Sequence, residues 1–398
     1  MPALERVVEN AANESQAADL LSKLLKIPSY QTEFYESDPM IQNFIRNVIR
    51  PDLKDGGVKD IILDKGGNLI AEIKSKTNNS GKSLMFLAYA MTAAPGSMKD
   101  AFSGKIVDGK GFGLRGRGIL GRGACEQKAT LTAMMLAFKA LASSGENCPG
   151  DVIFVVSTAG ETGRHDSLRQ IVEQDGIKSD YAIQSGEPEI QLGNNGRLDV
   201  IITVQGRACH SSVPWEGINA IDGMFSVYGN MGKLMPYPSE KAHPQLGKAT
   251  LTPIYVESFP RATHTVQSKC VLRLDRRLLP GEDPVQALSQ ISAAVGRGEK
   301  YGINVEAGPF MYPSEVPSGS AISRSLSNAI RTVLGSSPKF AYSHQALDAG
   351  YLNVKGIETV CYGSGQYRFA HTDVDIASIE DTVDAAKVMT YLALKGIS

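Results

Sequence analysis

Leu120-Gly-Arg-Gly-Ala-Cys-Glu-Gln-Lys-Ala129 is the stretch on which the fold turns, because here a glycine-rich loop passes directly into a long apolar segment. Gly121 and Gly123 allow positive φ and close backbone approach, while Leu131, Met134, Met135, Phe138 and Leu141 recur at helical spacing. The pattern predicts a loop that delivers Glu126 to the start of a helix. A carboxylate there is either a favourable charge at the positive end of the helix dipole or a ligand. The neighbouring segments decide between the two.

Moving outward, short apolar, β-branched runs at 58–63, 69–73, 84–88, 152–156, 181–183 and 358–362 read as strands. Helical stripes alternate with them: 14–26, a second ending before Pro51, 321–334, and a closing one with Ile379, Val383, Ala386 and Met389. This alternation predicts an α/β fold with a mostly parallel sheet covered by helices. From Arg197 the texture changes to strand 200–204, helix 219–231, strands 251–256 and 266–274, helix 284–295 and strand 303–306. That β-α-β-β-α-β order is ferredoxin-like. The expected organisation is a catalytic α/β domain split into 1–196 and 309–398, with an inserted α+β lid/dimerisation domain at 197–308.

The composition narrows the function. Of 398 residues, 42% are hydrophobic and 21% charged, with net charge −1, which gives no electrostatic reason to expect nucleic acid or membrane and leaves a small-molecule substrate as the partner. The five cysteines contain no CxxC pair, and reduced thiols fit better than a disulfide framework. No charged n-region with an apolar run opens the chain at Met-Pro-Ala-Leu-Glu-Arg, so a cytoplasmic location is expected. Gly111-Phe-Gly-Leu-Arg-Gly116 fits GxGxxG but lacks the strand before and helix after that a dinucleotide site needs.

Ligands of open parallel sheets bind beyond the carboxyl ends of strands. Tyr89, Glu161, Glu187 and His371 each follow an expected strand, and Glu126 joins them from the glycine-rich loop. Three carboxylates brought close would repel one another, and a divalent cation relieves that repulsion. Oxygen and imidazole ligands suit zinc, manganese or cobalt.

These residues carry a resemblance across nearly the whole chain. Gly67-Asn-Leu-Ile-Ala71, Gly121-Arg-Gly-Ala-Cys-Glu-Gln-Lys128, Gly186-Glu-Pro188, Gly206-Arg-Ala-Cys-His-Ser-Ser-Val-Pro214, Gly217-Ile-Asn-Ala-Ile221 and Ala370-His-Thr372 resemble the acetylornithine deacetylase, succinyl-diaminopimelate desuccinylase and carboxypeptidase G family of two-zinc amidohydrolases. The stretch from Pro260 to Arg277 is similar to its putative selenium-metabolism hydrolase branch. The resemblance implies that Glu126, Glu161, Glu187 and His371 are metal ligands. It also places departures. The family's first metal histidine falls on Tyr89 and its orienting aspartate on Met91, the bridging aspartate becomes Glu126, and the general base becomes Gly160. One metal is therefore expected, with Glu126, Glu161 and His371, or none, while Glu126 and Glu187 alone remain for a second.

By the same resemblance His210 steadies the oxyanion across a homodimer formed through 197–308. Arg197 and Arg277 hold the substrate carboxylate, and His264 replaces a family asparagine at the substrate. Tyr89 is a candidate acid or base in place of the lost histidine. Cys125 is a candidate nucleophile set against the commoner role of a packed thiol. The resulting expectation is a divergent amidohydrolase acting on a C–N bond of a small carboxylate-bearing amino-acid derivative. A metal-independent lyase, isomerase or cyclase, or a ligand-binding pseudoenzyme, is the alternative.

Overall fold

The computed structural model describes residues 3–76, 81–296 and 300–398. Residues 1, 2, 77–80 and 297–299 fall within the expected domain spans, and the first two within the N-terminal stretch read for a targeting signal; they lie outside the described residues. The chain forms two compact units: Met1–Leu192 with Val316–Ala341 and Tyr351–Ser398, and Gly193–Glu315 with Tyr342–Gly350.

In the first unit the main sheet runs in the order Asp60–Leu63, Leu69–Ile73, Val152–Ser157, Leu84–Tyr89, Tyr181–Gln184, Glu358–Cys361, Ile190–Asn194. Strands Val152–Ser157, Leu84–Tyr89, Tyr181–Gln184 and Glu358–Cys361 are parallel, and antiparallel pairs flank them. Every residue of Val152–Ser157 is buried, as a parallel strand covered on both faces requires. Helix Glu14–Leu25 opens with a capping box between Asn13 and Gln16 and buries Leu20, Leu21, Leu24 and Leu25, each such side chain stabilising by roughly 1.5–3 kcal/mol. Helix Ala129–Ser144 packs against Ile379–Lys395 and is buried on nearly all sides of its first nine residues, so its apolar character extends beyond a single stripe.

Two local expectations change. The helix expected to stop before Pro51 continues to Asp55, because a π turn at Ile45–Ile49 lets the Arg50 N–H reach the Ile45 carbonyl just ahead of a residue that has no N–H to donate. The glycine-rich region after Gly104, for which no strand was expected, contains strands Lys105–Asp108 and Arg117–Leu120, which pair with each other, the second pairing also with Ile376–Ser378. GxGxxG thus lies in a hairpin connection and not at a strand-to-helix turn.

The second unit has the sheet order Leu251–Phe259, Lys269–Leu278, Gly196–Gln205, Gly302–Met311, antiparallel throughout. Helices Ala220–Asn230 and Pro284–Val295 share its core, where Met224, Val227 and Ile291 meet Val200, Ile202, Val204, Leu272 and Leu274. This is the ferredoxin-like arrangement. Among the described residues, no helix is long and apolar enough to cross a membrane.

Candidate metal centre

Glu126 reaches its position by a local device. Gly123, at φ 83, starts a π turn over Ala124–Lys128, and its carbonyl accepts from both the Gln127 and Lys128 N–H groups at 3.3 and 2.8 Å. A Cβ on Gly123 would lie 2.3 Å from the Thr92 methyl, so both conformation and space require glycine. Gly121 does not take positive φ; it serves only close packing, against Leu25. The turn is held from outside by Asp375, fully buried, whose carboxylate accepts from the N–H groups of Gly123 at 2.6 Å and Cys125 at 2.8 Å and pairs with buried Arg122 at 3.3 Å.

Glu161 follows strand Val152–Ser157, and His371 follows Glu358–Cys361 with a φ of 60, a strained value for a residue other than glycine. One ligand atom from each of Glu126, Glu161 and His371 lies within 4.8 Å of the others. His371 Nε2 is 2.9 Å from Glu126 Oε1 and 3.4 Å from Glu161 Oε2. Burial raises the Glu126 carboxyl above the usual carboxylate range. Glu161 is pushed well above it by burial and then by the Glu126 charge. Glu126 Oε2 is buried without a hydrogen-bond partner among the described residues. Two carboxylates and an imidazole brought together, with one buried carboxylate oxygen unpaired, are the donor set of a divalent-cation site, and these residues fit one cation.

Glu187 stands outside this cluster, and its carboxylate accepts from the Tyr367 N–H at 2.9 Å. Burial raises its carboxyl above the usual range. Tyr89 ends strand Leu84–Tyr89, half-buried, and its ring lies against Gly160, where an added Cβ would be 2.0 Å from Tyr89 Cδ2. Position 160 therefore has no room for a side chain while Tyr89 keeps this rotamer. Cys125 is fully buried, with its thiol pushed well above the ordinary range by burial and by the Asp375 and Glu126 carboxylates. Full burial of the thiol favours the packing role of Cys125 over the nucleophile.

The remaining candidates belong to the second unit. His210 is exposed; its Nδ1 lies 2.7 Å from Ser212 Oγ and accepts from the Ser212 N–H at 3.2 Å, which leaves the ring proton on Nε2. His264 takes φ 58, and its carbonyl accepts from the Ser211 N–H at 2.9 Å. Arg197 and Arg277 sit opposite each other on adjacent strands. The Arg197 guanidinium grips Asp199 at 2.7 and 3.0 Å, and that of Arg277 grips Asp275 at 2.8 and 3.1 Å. Each arginine therefore gives its Nε–Nη2 edge to an aspartate of its own strand, and Arg277 Nη1 donates to the His344 carbonyl at 3.3 Å.

Asp375 and Arg122 are the functional residues that the sequence reading passed over. A charged residue between Val374 and Ile376, and another between Gly121 and Gly123, were the available signals, since a charge in an apolar or glycine-tight setting has to be paired when buried.

A mostly parallel sheet carrying acidic and imidazole groups beyond its carboxyl ends, in a chain with a ferredoxin-like second unit, has the character of a metallopeptidase-like α/β protein. The chain belongs to peptidase family M20/M25/M40, whose model matches residues 95–395. It is 25% identical over 349 residues to the uncharacterized protein YgeY of Escherichia coli K12, covering 81% of this chain and 82% of that one. To the N-formyl-4-amino-5-aminomethyl-2-methylpyrimidine deformylase of Bacillus subtilis it is 24% identical over 301 residues, 68% and 70% of the two chains. Its fold matches the M20 family metallo-carboxypeptidase Sso-CP2 of Sulfolobus solfataricus with a TM-score of 0.77 at 19% identity, over 95% and 98% of the chains.

Proposed function

We propose that the protein is a single-metal amidohydrolase that cleaves a C–N amide bond in a small, carboxylate-bearing amino-acid derivative. The observation that carries this reading is the cluster of Glu126, Glu161 and His371 within 4.8 Å, with Glu126 Oε2 unpaired among the described residues. Those residues would hold one zinc, manganese or cobalt ion, which supplies Lewis-acid polarisation of a carbonyl and a lowered pKa for water. The departure of Glu187 from the cluster favours one ion over two.

The chain's own groups divide the remaining work. Tyr89 replaces the missing side chain of residue 160 both in space and in function, its hydroxyl passing a proton between attacking water and departing amine. His210 offers its Nε2 proton to the oxyanion that forms at the scissile carbonyl. His264, which stands where the family has an asparagine at the substrate, would contact the substrate, and the lid and dimerisation role of 197–308 is part of the same proposal.

A homodimer is supported by the second unit's free edge. Strand Leu251–Phe259 ends the sheet with Ile254, Tyr255 and Val256 exposed, next to Phe225 and Tyr228 of helix Ala220–Asn230. These residues, with Met224, Pro253 and Leu272, line an apolar groove of about 580 Å³. A second copy would cover both the groove and the open strand edge.

Release of amine from N-acyl amino acids, before and after exhaustive chelation, tests the reaction. The reading expects turnover that falls with metal removal and returns on adding a divalent cation. Turnover that survives chelation with no solvent oxygen in the product would instead establish the non-hydrolytic alternative. Tyr89→Phe should lower kcat by about 10²–10⁴, the usual contribution of a positioned proton-transfer group.

A further inference from the structure

The cationic side chains near the metal cluster are mostly committed. Arg122 is buried on Asp375 and donates to the carbonyls of Pro95 and Thr372. Lys128 is buried with Nζ on the carbonyls of Leu24 and Ile27, 3.1 and 2.9 Å away. Arg368 donates to the Phe112 and Gly113 carbonyls and lies over the Phe369 ring. In the second unit, Arg197 and Arg277 give the Nε–Nη2 edge to Asp199 and Asp275, respectively, and Arg277 Nη1 donates to the His344 carbonyl.

Arg164 is different. It follows Glu161 by three residues, a length of chain that reaches at most about 11 Å even when extended. Its side chain is 44% exposed, and among the described residues its one ionic partner is Asp166, 3.9 Å away and itself 47% exposed. That separation is too long for a hydrogen bond. The guanidinium carbon lies 5.5 Å from the centre of the Tyr35 ring. A planar guanidinium placed against an aromatic ring keeps the N–H donors along its edge available.

The segment that carries Tyr35 is fastened to the metal-centre wall. Gln31 N–H donates to the Thr92 carbonyl at 2.8 Å, Thr92 N–H donates to the Ser29 carbonyl at 2.9 Å, and the Thr92 methyl packs on Gly123, where the turn that carries Glu126 begins. Tyr35 sits at φ 49, a left-handed value that bulky side chains rarely adopt, and Phe34 beside it is exposed. This strained backbone holds the Tyr35 ring where the Arg164 guanidinium lies against it.

We propose that Arg164, braced by Tyr35, is the residue that receives the substrate's carboxylate, in place of Arg197 and Arg277. This rests on the amidohydrolase reading above for the identity of the ligand. Bidentate pairing of the open guanidinium with a carboxylate sets the distance from that carboxylate to the metal centre, and so selects short amino-acid derivatives over longer peptides.

The test is equilibrium binding, by calorimetry on the protein as purified, of N-acetylalanine, N-acetyl-leucine and N-acetylphenylalanine against their carboxamides. The wild type should prefer the acids by at least about tenfold, as expected for a charge-assisted contact. Arg164→Ala should reduce that preference to within about twofold while leaving the melting temperature unchanged, and Arg164→Lys, a point charge without the fork, should restore part of it. Equal binding of acid and amide by the wild type, or an unchanged preference in Arg164→Ala, would overturn the assignment. Amine release, assayed separately on the same compounds, reports on the reaction. A preference lost in Arg164→Ala with no amine released from any compound would support the anchor and sink the amidohydrolase reading.

Discussion

Two groups of buried or half-buried charges show what the molecule does with them. In the second unit Arg197, Asp199, Asp275 and Arg277 lie on adjacent strands, two cations against two anions, each guanidinium gripping a carboxylate at about van der Waals contact or closer. In the first unit Glu126 and Glu161 face each other with one exposed imidazole between them, both carboxyls are raised by burial, and an oxygen is left unpaired. The first set is complete in itself. The second leaves like charges together and an oxygen without a partner, and that contrast is what the single-metal proposal rests on.

The contrast can be broken or sharpened by substitution. The largest effect is expected at Asp375, which touches no substrate but fixes the turn that carries Glu126. Asp375→Asn should weaken divalent-cation affinity by roughly 10- to 100-fold, the usual cost of losing an outer-shell partner, as read by competition with a metal-sensitive dye. Unchanged affinity would mean that the turn needs no such brace.

Next in size is Gly160→Ala. An added methyl would meet the Tyr89 ring at 2.0 Å, so about 1–3 kcal/mol of stability should be lost in denaturant titrations. Tyr89→Ala in the same chain should remove most of that penalty, and additive losses in the double variant would show that the two positions are independent.

Asp275→Asn probes the complete set. It leaves the Arg277 fork half-filled and should cost about 1–3 kcal/mol with metal affinity unchanged. A loss of metal affinity on this substitution would dissolve the distinction between the two groups.

The smallest effect is on pH dependence. Both Glu126 and Glu161 have folded-state values raised above the ordinary 4.5. Between 4.5 and those raised values the metal-free folded chain therefore binds more protons than the unfolded one, and its stability falls as pH rises through that window. A divalent cation, competing with protons for these carboxyls, should raise the melting temperature more at pH 8 than at pH 5. A cation effect equal at both values would dissociate metal binding from this carboxyl pair.

The main strands were legible because Leu84–Tyr89 and Val152–Ser157 are continuous apolar runs, buried on both faces. The alternating pattern of Gly196–Gln205 likewise exposed the second unit's half-buried sheet. Strands Lys105–Asp108 and Arg117–Leu120 were not legible, since they are short, half-exposed and set among glycines, and tertiary pairing with Ile376–Ser378 makes them strands. Helix Arg50–Asp55 was hidden behind Pro51, whose missing donor is absorbed by a π turn that no local propensity announces. At the site, Glu161 and His371 could be proposed from their places after strands, Glu126 from the glycine-rich loop, and all three from family motifs. What sequence could not supply was the pairing: that Asp199 and Asp275 fill two arginine forks, that Tyr89 lies on Gly160, and that Arg164 is left open.

The most direct test of a single cation held by Glu126, Glu161 and His371 is metal content per chain by mass spectrometry. The protein would be purified without chelators, incubated with zinc, manganese or cobalt and dialysed, with Glu161→Ala treated in parallel. About one tightly held ion per chain, lost in Glu161→Ala, is the predicted result; two ions per chain, none, or one retained in Glu161→Ala would contradict it.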